Sequence, residues 1–263
     1  MRDIELVGVS KTFTGVAGAR RTALSEISIT ILAGEFVTVI GANGSGKSTF
    51  LGAISGLVDI DTGRILFGGE DITRVSHADR ALWISHVPQD PRQGCAEDLT
   101  VVENLALASH GRGWLQPLVT RPVRAAIRKR VQELRPSLLP VLNAFAGDLS
   151  GGERQAVALL LAAIRGCEVL LLDEHAAALD PKQAAEVMSF TDELAGRARI
   201  TVVMVTHNLK DAMEHGSRLI VFGDGRVIGD FDTAEKTALT IEGIRQLYAA
   251  HGVDRHVGTS LKG

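Results

Sequence analysis

Cysteine is almost absent from this chain of 263 residues, which carries only Cys95 and Cys167. The two stand far apart, without Cys or His companions at metal-ligand spacing, which argues against a disulfide framework and a zinc module. Two reduced, buried thiols in a cytosolic protein are expected instead. Long apolar runs are missing too. The longest, residues 156–164, falls far short of the roughly 20 residues needed to cross a bilayer. The first residues, MRDIELVGVSKTF, alternate polar and apolar side chains with acids among them, unlike a basic-then-apolar signal peptide. Work at a membrane is therefore expected to go through a partner. Nor is there an excess of one charge: the formal net charge is −3, which supplies no global field for holding nucleic acid. Short internal repeats and low-complexity tracts are also lacking.

What the chain does have is ample material for a packed core, 45% of it being hydrophobic. Residues 4–9 and 24–31 alternate as half-buried strands do, and residues 35–40 form a β-branched run ending at Gly41. Residues 48–55 read as a helix with Phe50, Leu51 and Ile54 on one side, and 63–68 as a short strand. From about 91 to 148 the character changes. Helices are expected over 100–109 and 122–134, punctuated by prolines at 117, 122, 136 and 140. Beyond that, strand and helix alternate: an apolar strand over 168–172, a helix over 181–197 entered through Asp180 and Pro181, and a strand over 200–205. Residues 218–222 and 227–231 flank the hairpin signal Asp224-Gly225. This alternation predicts a largely parallel sheet covered on both faces.

The segment GANGSGKST at 41–49 follows an apolar strand and opens a helix. Each part has a physical reason. Glycines let successive backbone N–H groups turn toward one anion, and the helix starting there adds the positive end of its dipole. Asn43, Gly44, Ser45, Gly46, Lys47, Ser48 and Thr49 are thus candidates for holding a nucleotide's phosphates. Lys47 is placed for the β and γ phosphates and the Ser48 hydroxyl for Mg²⁺. A second element, LLLDE at 170–174, ends a buried strand with two acids. Asp173 is expected to hold Mg²⁺ and Glu174 to orient or deprotonate the attacking water.

A third motif narrows the class further. In LSGGERQ at 149–155, Ser150 and Glu153 have the spacing of a helix capping box. Two glycines in a first helical turn cost about 1 kcal/mol each relative to alanine, so a cap alone does not explain them. They make sense if a phosphate must approach bare N–H groups at Ser150, Gly151 and Gly152. One chain then carries two phosphate-binding ends.

With these motifs in this order, joined by Gln89 in HVPQD, AALD at 177–180 and VTHN at 205–208, the chain resembles the nucleotide-binding subunits of ATP-binding cassette transporters, from Phe13 to about Phe231. The resemblance implies an α/β fold: a P-loop NTPase (RecA-like) core with an N-terminal antiparallel β subdomain and an inserted α-helical subdomain. The expected division is 1–90 for the β subdomain and phosphate-loop part, 91–150 for the insert, 151–250 for the rest of the core and 251–263 for a tail. It further implies that Phe13 stacks on adenine, that Gln89 senses Mg²⁺ and the permease, and that His207 contacts the γ-phosphate. Asp180 would organise the opposite subunit's site, while Ser150, Gly151, Gly152 and Glu153 meet ATP held by the partner's Lys47.

Expected companions are ATP and Mg²⁺, a second copy of the chain, integral membrane permease subunits and, indirectly, an extracytoplasmic solute-binding protein; no nucleic acid is expected. The expected place is the cytoplasmic face of the inner membrane. DEHAAALDP and LTIEGIRQLY look similar to ATPases of amino-acid importers, tryptophan or tyrosine systems among them. Alternatives are an exporter ATPase, a cassette acting on DNA or ribosomes, and a metabolite kinase, which has no use for LSGGE. Three departures stand out: His175-Ala176 where Pro-Thr is common, Ala156 where arginine is usual, and a basic run at Arg121, Arg124, Arg128, Lys129, Arg130 and Arg135. That run is expected to be a solvated helix face, the sharper alternative being contact with lipid headgroups or an acidic permease loop.

Overall fold

A computed structural model describes residues 1–15, 18–109, 119–198 and 200–252. Its centre is a six-stranded sheet of order β10-β9-β3-β8-β7-β6. The strands are β3 (Phe36–Gly41), β6 (Ile84–Val87), β7 (Val169–Asp173), β8 (Thr201–Val205), β9 (Arg218–Gly223) and β10 (Arg226–Phe231). All neighbours run parallel except the β9/β10 hairpin, which turns at Asp224-Gly225 as expected. A second, antiparallel sheet has the order β2-β1-β4-β5, from β1 (Ile4–Thr14), β2 (Arg20–Ile31), β4 (Thr62–Phe67) and β5 (Glu70–Asp71).

The central strands are apolar on both sides because both sides are covered. In β7 and β8, Leu171, Val203 and Val205 face a core shared with the antiparallel sheet and with α1 (Lys47–Ser55), where Phe50, Leu51 and Ile54 are fully buried. Their alternates Leu170, Leu172, Val202 and Met204 face a second core. That core takes in α3 (Val101–Ser109), α4 (Arg121–Leu134), α5 (Gly151–Arg165) and α6 (Pro181–Ala198). The other α-helices of the described residues are α2 (His77–Arg80), α7 (Leu209–Glu214), α8 (Thr233–Ala238) and α9 (Ile241–Ala250), with 3₁₀ turns at Pro91–Gly94, Pro136–Val141 and Ala146–Asp148.

On α4, Ile127 and Val131 are buried while Arg121, Arg124, Arg128, Lys129 and Arg130 are exposed, the pattern of a solvated amphipathic face. Arg135 departs from it: half-buried, it lies over the Phe190 ring and pairs with Glu186 at 3.7 Å. Ala156 packs inside the α5 core. Cys167 is buried, but Cys95 is only half-buried, contrary to the expectation that both would be buried; both are free. Pro117 and the expected tail beyond Gly252 fall outside the described residues. Among the described residues no helix is long and apolar enough to cross a membrane.

Candidate active site

Four adjacent parallel strands deliver the site at their carboxyl ends, where open α/β sheets collect their functional groups. β3 leads into 41–49, β8 into Thr206 and His207, β7 into Asp173 and Glu174, and β6 through Pro88 into Gln89.

The turn from β3 into α1 needs its glycines. Gly44 and Gly46 have φ of 79° and 107°, and a side chain on Gly46 would collide with the Ala23 carbonyl. At Gly41 a Cβ would lie 2.8 Å from the Phe222 carbonyl oxygen. The hairpin turn braces the loop from outside, Gly225 N–H donating to Ser45 O at 2.9 Å. Gly46 begins α1 with no side-chain cap, so the helix end keeps its N–H donors free of side-chain partners. Lys47 Nζ donates to Gly41 O at 2.8 Å and Ala42 O at 3.1 Å, which holds the ammonium over the loop. Burial pulls the Lys47 ammonium below its usual pKa, opposed by the charges of Glu174 and Asp173. The Ser45 hydroxyl is buried without a partner. An uncapped helix start, a buried ammonium and an orphaned hydroxyl together fit a phosphate chain.

Beside the loop, burial pushes the Asp173 carboxyl upward, while the Ser48 hydroxyl pulls it down. Among the described residues no cluster of three His, Cys, Asp or Glu side chains can enclose a metal. One hydroxyl and one carboxylate instead suit Mg²⁺, which keeps waters and takes phosphate oxygens rather than an all-protein cage. Glu174 follows with φ of 47°, an unusual conformation for a non-glycine residue, costing on the order of 1–3 kcal/mol. Its N–H donates to Val205 O at 3.0 Å. Its carboxylate accepts from Gln89 Nε2 at 3.2 Å and lies 3.1 Å from His207 Nδ1. Gln89, Glu174 and His207, drawn from three strands, thus meet on one carboxylate.

Phe13 lies on β1, 43% exposed, and lines a cavity of about 190 Å³ with Gly44, Gly46, Lys47, Ser48 and Thr49. Asn43 is exposed at the loop's rim. The other expected ligands lie elsewhere. Ser150, Gly152, Glu153 and Asp180 line a separate cavity of about 400 Å³, which shares no residue with the first. There the capping box is complete: Ser150 Oγ accepts from Glu153 N–H at 3.3 Å, and Glu153 Oε2 accepts from Ser150 N–H at 3.0 Å. Asp180 caps α6 through Lys182 and Gln183 N–H, both at 3.1 Å.

One expectation needs correcting. Gly151 is exposed, but Gly152 is buried by its own chain, and its N–H is not bare: it donates to Gln183 Oε1 at 3.1 Å. A Cβ on Gly152 would meet that amide at 2.9 Å, so close approach to α6 is one reason for glycine here. Gln183 carries no motif and escaped notice in the sequence. His175 is also resolved. It is fully enclosed, and Thr191 Oγ1, 3.1 Å from its Nε2, gives its own proton to Val187 O at 3.0 Å. Thr191 therefore accepts from Nε2–H, and burial holds the neutral ring, with a pKa lowered to about 4.

These strands, this loop and these acids define a phosphate-loop nucleotide hydrolase of the α/β class. The family model described as "ABC transporter" matches residues 24–177. The chain is 39% identical over 247 residues to a tyrosine transport ATP-binding protein of Clostridioides difficile, covering 93% of this chain and 98% of that one. It is 34% identical over 227 residues to a sulfate/thiosulfate import ATP-binding protein of Agrobacterium fabrum, but covers only 62% of that longer protein. Among solved structures, an ATP-binding cassette in its ADP conformation superposes with a TM-score of 0.78 at 25% identity, covering 95% of this chain and 99% of that one. A dimeric cassette in a post-hydrolysis state, bound to ADP and Pi, gives 0.74 at 27% identity over 88% and 98%. The chain belongs to the ABC transporter family, and is its ATP-hydrolysing cassette.

Proposed function

We propose that two copies of this chain close head to tail on two ATP-Mg, and that closure drives a separate membrane permease importing a small solute, an amino acid in class. The observation that carries the paired arrangement is the separation of the two phosphate-suited helix ends. One lines a cavity with Lys47, the other a cavity with Asp180, and no residue is common to both. A γ-phosphate held at the first end then meets Ser150 and Gly151 only on a second copy, with Gly152 joining once Gln183 lets go.

Within each site, Lys47 and the loop N–H groups hold the phosphates, while Ser48, Asp173 and Gln89 would hold Mg²⁺. The ion supplies charge neutralisation at the β and γ oxygens. Glu174, fixed by Gln89 and His207, accepts the proton of the attacking water. ADP lacks the group that reaches the partner, so hydrolysis removes the differential contact that favours closure.

The docking side has support of its own. A groove of about 460 Å³ is lined by Leu57, His86, Val87, Leu107, Leu161 and Arg165, with Leu57 and Leu107 exposed. It runs beside β6, which leads directly to Gln89 and so to Glu174. A permease helix seated there would hold the chain at the cytoplasmic face of the inner membrane. The amino-acid class rests on the tyrosine transport relative, matched over nearly its whole length. A solute-binding protein outside the membrane would deliver the solute.

Mixing tests the shared site. Lys47→Ala and Ser150→Arg chains are each expected to be inactive alone, and to recover hydrolysis when combined, because the mixed pair holds one intact composite site. No recovery would contradict head-to-tail sharing. For the cargo, cells lacking this chain are expected to lose uptake of radiolabelled tyrosine or tryptophan; unchanged uptake of both would remove the aromatic amino-acid assignment.

A further inference from the structure

We infer that Arg21 is a nucleotide-contacting residue that grips the phosphate nearest the sugar. This deepens the ATP-site assignment and rests on it. Arg21 lies on β2 directly opposite Phe13 on β1, in the register of that strand pair. Its guanidinium reaches across to the phosphate loop, Nη2 donating to the Gly44 carbonyl at 2.7 Å. It lines the same 190 Å³ cavity as Phe13, Lys47 and Ser48, whose wall contains no Asp or Glu.

The charges of the two cations there differ in how they are balanced. Lys47 has Asp173 and Glu174 close enough to act on its ammonium. Arg21 forms no ion pair among the described residues, and its one hydrogen bond goes to a neutral carbonyl. A planar guanidinium with donors to spare, held at the rim of an anion site without a counter-charge, is well suited to a phosphate. Its position selects which one. Phe13, its cross-strand partner, marks the adenine end of the cavity, and Lys47 marks the terminal phosphates. Arg21 is tied to both ends, opposite Phe13 in the strand register and hydrogen-bonded to the loop at Gly44, which assigns it the phosphate nearest the base, the α-phosphate. That phosphate is shared by AMP, ADP and ATP and carries no developing charge during hydrolysis. Arg21 therefore contributes uniform binding, equal in substrate and transition state, and should govern KM rather than kcat.

The test is a ladder of ligands, measured by displacement of a fluorescent ADP analogue from wild type, Arg21→Ala and Arg21→Lys, with thermal melts confirming the fold. Arg21→Ala should weaken AMP, ADP and ATP alike by about tenfold at low salt, leave adenosine unchanged, and raise KM for ATP with kcat retained. The loss should shrink in 0.5 M KCl, as exposed charge contacts do, and Arg21→Lys should recover part of it. Equal weakening of adenosine would make Arg21 a base or strand contact. Weakening of ADP with AMP untouched would make it a support for the loop. No change in any ligand would remove it from the site. Each of these three overturns the assignment. A wild-type chain that bound no ADP would sink the nucleotide assignment itself, and Arg21 with it.

Discussion

The N-termini of α1 and α5 use the same physics in opposite states. Each has glycine in its opening, Gly46 as the cap of α1 and Gly151-Gly152 in the first turn of α5, and each presents the positive end of a helix dipole. At α1 no side chain caps the end, and Lys47, Ser45 and glycines of positive φ offer the donors an anion would need. At α5 part of the donor set is already used: Ser150 and Glu153 close a reciprocal box, and Gln183 takes the Gly152 N–H. The first end is preorganised for its ligand. The second is partly satisfied internally, so a phosphate arriving at Gly152 competes with a neutral amide. Under the proposed pairing, a difference of this kind would make nucleotide binding to one copy easy and closure of two copies conditional.

The largest expected effect comes from breaking the first end. Lys47→Ala should remove hydrolysis by three orders of magnitude or more, since the same ammonium both holds phosphates and balances Asp173 and Glu174, an order-of-magnitude expectation for charge stabilisation in phosphoryl transfer. Steady-state phosphate release measures it, and wild-type turnover would contradict the cradle. Glu174→Gln should lower turnover by about 100-fold or more while leaving ATP binding intact. Retained turnover would remove Glu174 from proton transfer.

Breaking the second end should act differently. Ser150→Ala should leave the ATP affinity of a single copy unchanged, lower turnover about tenfold, and cost roughly 1 kcal/mol of stability through the lost cap. Gln183→Ala sharpens the contrast further. By freeing the Gly152 N–H it should lower the ATP concentration needed for pairing a few-fold, as expected when one neutral hydrogen bond no longer competes; a raised concentration would mean that Gln183 supports the paired state.

The effect smallest at neutral pH is one that appears only on acidification. Burial, with His77 nearby, lowers the His86 pKa from 6.5 to about 4. Its folded value is depressed, so its contribution to stability is complete above pH 6.5 and fades as pH falls toward 4. Thermal melts across that window should flatten in His86→Gln.

Much of this was legible in the residues. The apolar runs marked the parallel strands because a strand buried on both faces has no polar side to interrupt it, and the phosphate loop was legible because its glycines stand together with Lys47 and Ser48 between a strand and a helix. The hairpin at Asp224-Gly225 and the Asp180 cap were likewise written locally. Arg21 and Gln183 were not, because their partners lie 23 and 31 residues away and neither belongs to a periodic pattern. Gly152 misled for a related reason: a glycine required by a neighbouring helix looks, in sequence, the same as one required by a ligand. His175 was visible only as a departure, and its hydrogen bond to Thr191 exists only once α6 packs behind β7.

The most direct measurement is the mass of the Glu174→Gln chain by light scattering, with and without saturating ATP-Mg. A shared site predicts 28.0 kDa without nucleotide and twice that with ATP, but not with ADP. A chain that binds ATP stoichiometrically and stays at 28.0 kDa would contradict it.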